Sequence, residues 1–195
     1  MILSIFSNIF FWIFLYGIAF ISFILMYTRS KDKKNFHVKS GTSIVILNYT
    51  ITGSIFLGPI ILALTSQPYL PIPRIISILL GLLFVIPAAY IQIKSRMKIG
   101  FLPGGPFPDL RKEKSLINTG IYGLIRHPIY LGFILWQIGI AILMDAAYAL
   151  IFFIFYILSY FPIIYLEEKE LIQKYGKQYQ EYKKKTPYMI IPKII

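Results

Sequence analysis

The chain has 195 residues, of which 57% are hydrophobic and 14% are charged, and its mean hydropathy is +0.69. Soluble globular chains carry about 25% charged residues, so this composition excludes an ordinary soluble domain and predicts an integral membrane protein. Cysteine is absent, which excludes disulfides, thiolate metal sites and thiol catalysis. The net charge is +12, but the basic residues flank apolar runs, which favours a topology signal over nucleic-acid binding.

Five apolar runs could cross or nearly cross a bilayer, which requires about 20 residues. They are Ile2–Tyr27, Thr42–Thr65, Ile75–Ile93, Ile129–Met144 and Ala146–Leu166. The first run lacks the basic start and the cleavage site of a signal peptide, so we expect it to be retained. The fourth run would reach only about 24 Å as a helix, so whether it crosses the bilayer fully stays open. Runs four and five are predicted to form a tight hairpin joined by Asp145. The predicted fold is all-α and multispanning, with about five transmembrane helices.

Basic residues fall in three clusters, after the first run, between the third and fourth, and after the fifth, and only Arg74 lies in the other loops. The positive-inside rule makes the basic side cytoplasmic, which places the N-terminus outside and the C-terminus in the cytoplasm. The same face could bind anionic membrane lipids. We therefore predict a membrane region, residues 1–93, and a catalytic region, residues 94–195, that contains a polar loop, the hairpin and a basic tail.

The polar loop contains two different pieces. "PGGPFPD", Pro103 to Asp109, is turn-rich, and without a strand before it or a helix after it we do not expect a nucleotide loop. In "TGIYGLIRHPIYLGF", Gly120 supplies a turn and Pro128 suits a first helical position, so His127 is expected near the N-cap with Arg126 just outside. Amides at that helix start favour an anionic group. The simpler interpretation is that Arg126 is a topological anchor and His127 is a helix cap.

Glu167 and Glu168 follow the fifth run directly, at the depth of Arg126 and His127 if the hairpin forms. Glutamates so close to lipid are costly unless they are paired or solvated, which makes them functional candidates. The alternative is an ordinary helix exit with an amphipathic continuation. With nearby tyrosines, the cluster could bind a zwitterionic, hydroxyl-rich ligand. No metal is predicted, because one histidine beside distant glutamates is not a convincing ligand set.

"SLINTGIYGLIRHPIYLGF" and, about thirty residues later, "EEKELIQKYGKQYQEYKKKTPYMIIP" together resemble the isoprenylcysteine carboxyl methyltransferases and the related membrane phospholipid methyltransferases. The resemblance covers roughly residues 114–192. It implies an enzyme that uses S-adenosylmethionine (SAM), with a cytoplasmic cofactor pocket capped by the C-terminal tail and a lipophilic or prenylated acceptor that enters from the bilayer. The cofactor contacts that it implies are Leu116, Ile117, Tyr122, His127, Pro128, Ile129, Tyr130 and Glu167, and the candidate catalytic residues are Arg126, His127 and Glu168.

In this scheme Arg126 orients charge on the cofactor or acceptor, and His127 or a glutamate takes a proton from an amine acceptor. Two positions depart from the family pattern: Lys114 replaces a usual histidine, and Ile163 replaces an arginine placed for the acceptor. A prenylcysteine carboxylate and a phospholipid head-group amine therefore both stay open as the methyl acceptor.

Two other classes of protein make different predictions. A sterol-type reductase should have more spans and use a nicotinamide cofactor. A scaffold or transporter subunit should have ionisable groups within its spans, and these spans are almost free of charge.

Overall fold

The computed structural model describes residues 68–99 and 115–194. The first two predicted spans, the "PGGPFPD" segment and Lys114 lie outside the described residues. Within the described ranges all regular secondary structure is helical, as predicted. The helices are α1 (Arg74–Ile99), a 3-10 turn (Gly120–Gly123), α2 (Pro128–Leu143), α3 (Ala147–Tyr175) and α4 (Lys177–Lys185).

Helix α1 corresponds to the third apolar run. Among the described residues it is the one helix long and apolar enough to cross a membrane. Its Leu83 and Ile86 are each 64% exposed in the described part of the chain, as expected for side chains that face lipid and not a protein core. Helix α2 has 16 residues and is about 24 Å long at about 1.5 Å per residue, so the short fourth run is confirmed. The total number of spans stays a prediction.

Helices α1 and α2 pack closely because glycines line their contact. A Cβ atom added to Gly139 would lie 2.7 Å from Val85 Cγ2 and 2.9 Å from the Val85 backbone nitrogen. Small residues let apolar helices approach in this way. Towards the other end of the contact, Gln92 Nε2 donates to the Ile129 carbonyl at 3.0 Å. These contacts hold the start of α2 beside the last turns of α1.

A short turn at residues 144–146 joins α2 to α3, so the predicted hairpin is confirmed at the level of these two helices. Asp145 has a positive φ of 55°, which aspartate tolerates better than most residues. Its carboxylate accepts hydrogen bonds from the Ser77 hydroxyl and from Arg74 Nη1, the latter at 2.7 Å. Arg74 also donates to the Leu143 carbonyl at 2.6 Å. The hairpin tip is therefore fastened to the start of α1.

Helix α3 runs past its apolar part, which was expected to end at Leu166, and continues to Tyr175 before Gly176, with φ 56°, ends it. The expected amphipathic continuation is therefore helical. Its Leu171 is buried and packs against tyrosines of α4. The hairpin core is a cluster from α2, α3 and the segment after α4, consisting of Phe133, Ile134, Tyr160, Ile164 and Ile190. This arrangement carries Glu167 and Glu168 to the start of α2.

Candidate active site

Four ionisable side chains meet where the start of α2 faces the middle of α3. His127 is the N-cap of α2, with Pro128 in its first turn, as the sequence predicts, although its side chain makes no capping hydrogen bond. Arg126, His127, Glu167 and Glu168 are 8%, 4%, 3% and 6% exposed. Charged groups this buried are stable only when paired and hydrogen-bonded. The structure therefore brings together the residues that the hairpin argument placed at one depth.

Glu168 lies at the centre of the cluster. One of its oxygens accepts from Arg126 Nε at 2.6 Å and lies 3.4 Å from His127 Nε2, and the other accepts from Lys183 Nζ at 2.5 Å. Burial raises the pKa of Glu168, but the hydrogen bonds from His127, Lys183 and Arg126 outweigh burial and hold it well below its ordinary value. Glu168 is therefore an ionised carboxylate.

His127 lies between the two glutamates. Its Nδ1 is 3.5 Å from Glu167 Oε2, while its Nε2 faces Glu168. Burial by itself lowers the pKa of His127, but the two carboxylates outweigh burial, and the pKa is raised above 6.5. A protonated imidazole donates from both nitrogens and has no acceptor. The ring therefore lies between two carboxylates that favour its protonated form.

The segment after α4 covers this cluster. The backbone amide of Arg126 donates to the Tyr188 carbonyl at 3.0 Å, and that of His127 donates to the Met189 carbonyl at 2.8 Å. Arg126 Nη1 also donates to the carbonyls of Thr186, at 2.8 Å, and Pro187. Arg126, predicted to orient charge on a ligand, thus already binds Glu168 and the backbone of the covering segment.

A cluster of tyrosines adjoins the charged residues. The Tyr182 hydroxyl donates to the Tyr122 carbonyl at 2.6 Å, which ties α4 to the 3-10 turn. The Tyr179 and Tyr182 rings meet edge to face with centroids 5.7 Å apart. Leu171 and Leu116 belong to the same cluster, so one predicted cofactor contact lies here. This part of the site is apolar and aromatic.

The other predicted cofactor contacts lie outside the tyrosine cluster and differ in burial. Ile129 and Tyr130 are partly buried and pack against the hairpin core, Tyr122 and Pro128 are buried, and Ile117 is half-buried. Sequence reasoning missed Lys183, Tyr179 and the Tyr188–Met189 backbone. The tyrosines at positions 175, 179 and 182 of the tail, three or four residues apart, were the signal for the aromatic cluster. No sequence signal marked the carbonyls that Arg126 binds.

A known protein family and several curated proteins match this chain. A sequence model of the family "Phospholipid methyltransferase" matches residues 76–178. Protein-S-isoprenylcysteine O-methyltransferase from Saccharomyces cerevisiae is 37% identical over 113 residues, which cover 55% of this chain and 46% of that protein. The Schizosaccharomyces pombe protein of the same name is 34% identical over 77 residues, covering 39% and 33%. A mouse Delta(14)-sterol reductase is 34% identical over 89 residues, covering 40% and 19%.

The chain thus spans less than half the length of each of these curated relatives. No solved structure matches it. The matched residues include α1 from Ile76 onwards, all of α2 and α3, and the four buried ionisable side chains.

Proposed function

Because this chain belongs to the phospholipid methyltransferase family, we propose that it is a SAM-dependent membrane methyltransferase that acts on a lipophilic acceptor, with a prenylcysteine carboxylate as the first candidate. The names of the two yeast relatives support the reaction and the acceptor class. The observation that carries the proposal is the buried cluster of Arg126, His127, Glu167 and Glu168 at the end of apolar helices. A purely structural hairpin has no need of four ionisable groups at that place.

The residues present fit the chemistry of SAM, which when bound would supply an activated methyl group on a sulfonium. Its ammonium and ribose hydroxyls need carboxylate oxygens, and Glu167 is buried beside His127. Its purine needs an apolar and aromatic surface such as the cluster of Leu116, Leu171 and Tyr182. The other contacts in the proposal are those that the resemblance implies, Ile117, Tyr122, Pro128, Ile129 and Tyr130.

The state of His127 favours a carboxylate acceptor over an amine. An amine must lose a proton before it attacks, and the protonated form of His127, which the two carboxylates favour, cannot take that proton. A carboxylate needs no base. Arg126 and Lys183 balance the two glutamates, and protonation of His127 gives the site a surplus positive charge that attracts an anionic acceptor. We therefore propose that His127, Arg126 and Glu168 together set the charge of the pocket.

We further propose that the site lies at the cytoplasmic surface of a multi-pass protein and is filled with acceptor from the bilayer. Two exposed tyrosines are each followed one turn later by a lysine over the ring: Lys94 lies 5.7 Å from the Tyr90 centroid, and Lys169 lies 4.4 Å from that of Tyr165. Tyrosine and lysine are typical of the membrane–water interface. Both pairs lie towards the site end of their helices.

The first test is calorimetric binding of S-adenosylhomocysteine to the detergent-purified chain. We expect saturable binding, weakened about 10-fold or more in Glu167→Gln because a hydrogen bond to a charged group contributes about 1.5–3 kcal/mol. Glu181→Gln is the matched control, because Glu181 is exposed on α4, and it should bind like the wild type.

Acceptor identity is tested with labelled SAM offered S-farnesyl-N-acetylcysteine or phosphatidylethanolamine. Label on the farnesylcysteine carboxyl supports the proposal, whereas label on the phospholipid amine alone overturns the acceptor assignment. A folded wild type that binds NADPH and not S-adenosylhomocysteine would overturn the methyltransferase proposal itself.

A further inference from the structure

Tyr179 has a buried hydroxyl that no described residue satisfies. The side chain is 1% exposed, and among residues 68–99 and 115–194 its oxygen has no hydrogen-bond partner. A buried hydroxyl without a partner costs free energy, so native proteins keep few of them. Such a group is explained when a ligand supplies the missing bond.

The neighbouring Tyr182 shows that the cluster can satisfy a hydroxyl internally. Both tyrosines belong to α4 and pack against Leu171, yet the Tyr182 hydroxyl binds the Tyr122 carbonyl while that of Tyr179 binds nothing in the described structure. The Tyr179 hydroxyl also lies within electrostatic reach of the site. Burial raises its pKa, and the carboxylates of Glu168 and Glu167 raise it further, so it keeps its proton and stays a donor.

We propose that the Tyr179 hydroxyl is a hydrogen-bond contact for the nucleoside part of the bound methyl donor. This assignment rests on the proposed function. The surfaces around the ring belong to Leu116, Leu171 and Tyr182, which suit an uncharged purine nucleoside. The amino-acid end of the donor carries two charges and requires charged partners, which lie instead around His127.

The test is Tyr179→Phe, which removes one oxygen and keeps the packing of the ring. We expect the Kd for S-adenosylhomocysteine to rise about 3- to 10-fold, the factor typical of one neutral hydrogen bond. Methylthioadenosine, which lacks the amino-acid end, should lose affinity by the same factor. The melting temperature of the ligand-free variant should be unchanged or higher, because the variant loses an unsatisfied polar group.

The matched control is Tyr165→Phe, since Tyr165 is 55% exposed on α3 and should leave both Kd values unchanged. If the wild type binds and Tyr179→Phe binds equally well, the Tyr179 assignment is wrong and the proposed function stands. A loss seen with S-adenosylhomocysteine alone overturns the nucleoside assignment. A lower ligand-free melting temperature overturns it too, because the hydroxyl would then be satisfied within the protein. No binding by folded wild type overturns both proposals.

Discussion

His127 is the residue whose charge depends most directly on the fold, since both ring nitrogens face carboxylates. Its pKa is raised by folding, so its contribution to stability is present below the unfolded pKa, near 6.5, and is lost as the pH rises through the folded pKa. Glu168 has a lowered pKa, so its contribution is present above its ordinary 4.5 and is lost only as the pH falls through the folded value. The cluster is therefore most stable in mildly acidic solution.

The charge of His127 makes the melting temperature depend on pH. As the pH rises from about 6 to about 9, histidine is ordinarily the first side chain to lose its proton. The wild type should therefore lose thermal stability over this range. His127→Gln, which keeps a donor but cannot ionise, should show a flatter profile. Scanning fluorimetry of both proteins in one detergent measures the difference. Parallel profiles would show that His127 does not change its charge in this range.

Helix α4 and the segment after it act as a cover, and two side chains of α4 attach it to the rest of the site. Lys183 binds Glu168, and Tyr182 binds the Tyr122 carbonyl. The next lysine, Lys184, is exposed and belongs to the same helix. Adjacent lysines thus offer a matched comparison between one side chain that holds the cover and one that does not.

Lys183→Met should loosen α4 by about 0.5–1 kcal/mol, a modest value because the Lys183 side chain is 36% exposed and its ion pair is screened by solvent. Amide hydrogen exchange should speed up in Lys177–Lys185 and stay unchanged in α1. Lys184→Met should leave the exchange of both helices at the wild-type rate. Equal effects of the two substitutions would show that the loss of any lysine charge, and not the Glu168 contact, governs α4.

The sequence predicts helix starts better than helix ends. Pro128 and the positive-φ Gly120 mark the approach to α2 correctly, because proline and glycine restrict the backbone in known ways. The apolar run ends at Leu166 but α3 continues to Tyr175, because the change from apolar to charged residues marks the edge of the apolar segment and not a helix end. The bonds from Arg126 to the Thr186 and Pro187 carbonyls join distant parts of the chain, and no local pattern encodes them.

At the scale of the whole molecule, the site depends on how closely α1 and α2 approach. Gly81 and Gly139 permit the approach, and the Arg74–Asp145 pair fastens the opposite end. Apolar runs three to five predicted these helices, but their closeness follows from glycines that hydropathy alone does not distinguish. The first two runs lie outside the described residues and stay predictions, as does the division at residue 93.

Gly139→Ala should lower stability by about 1–3 kcal/mol, the usual cost of overpacking. The added methyl group meets backbone of α1 and cannot be relieved by moving a flexible side chain. Binding of S-adenosylhomocysteine should weaken with it, since α2 carries His127. The control is Gly123→Ala, whose Cβ would meet the Asn118 carbonyl oxygen at an ordinary 3.4 Å. An unchanged melting temperature in Gly139→Ala would show that the helices can separate without cost.

The backbone bonds that join Arg126 and His127 to Tyr188 and Met189 also impose an order of events during synthesis. The Arg126 contacts bridge 60 residues of chain, an interval of about 3–12 s at about 5–20 residues per second. The hairpin helices α2 and α3 are made within that interval, and their buried charges stay without a cover until residues 186–189 follow. A nascent chain stopped before Tyr188 would thus reside in the membrane normally and yet have an open, hydrated site, so insertion and maturation are separable stages.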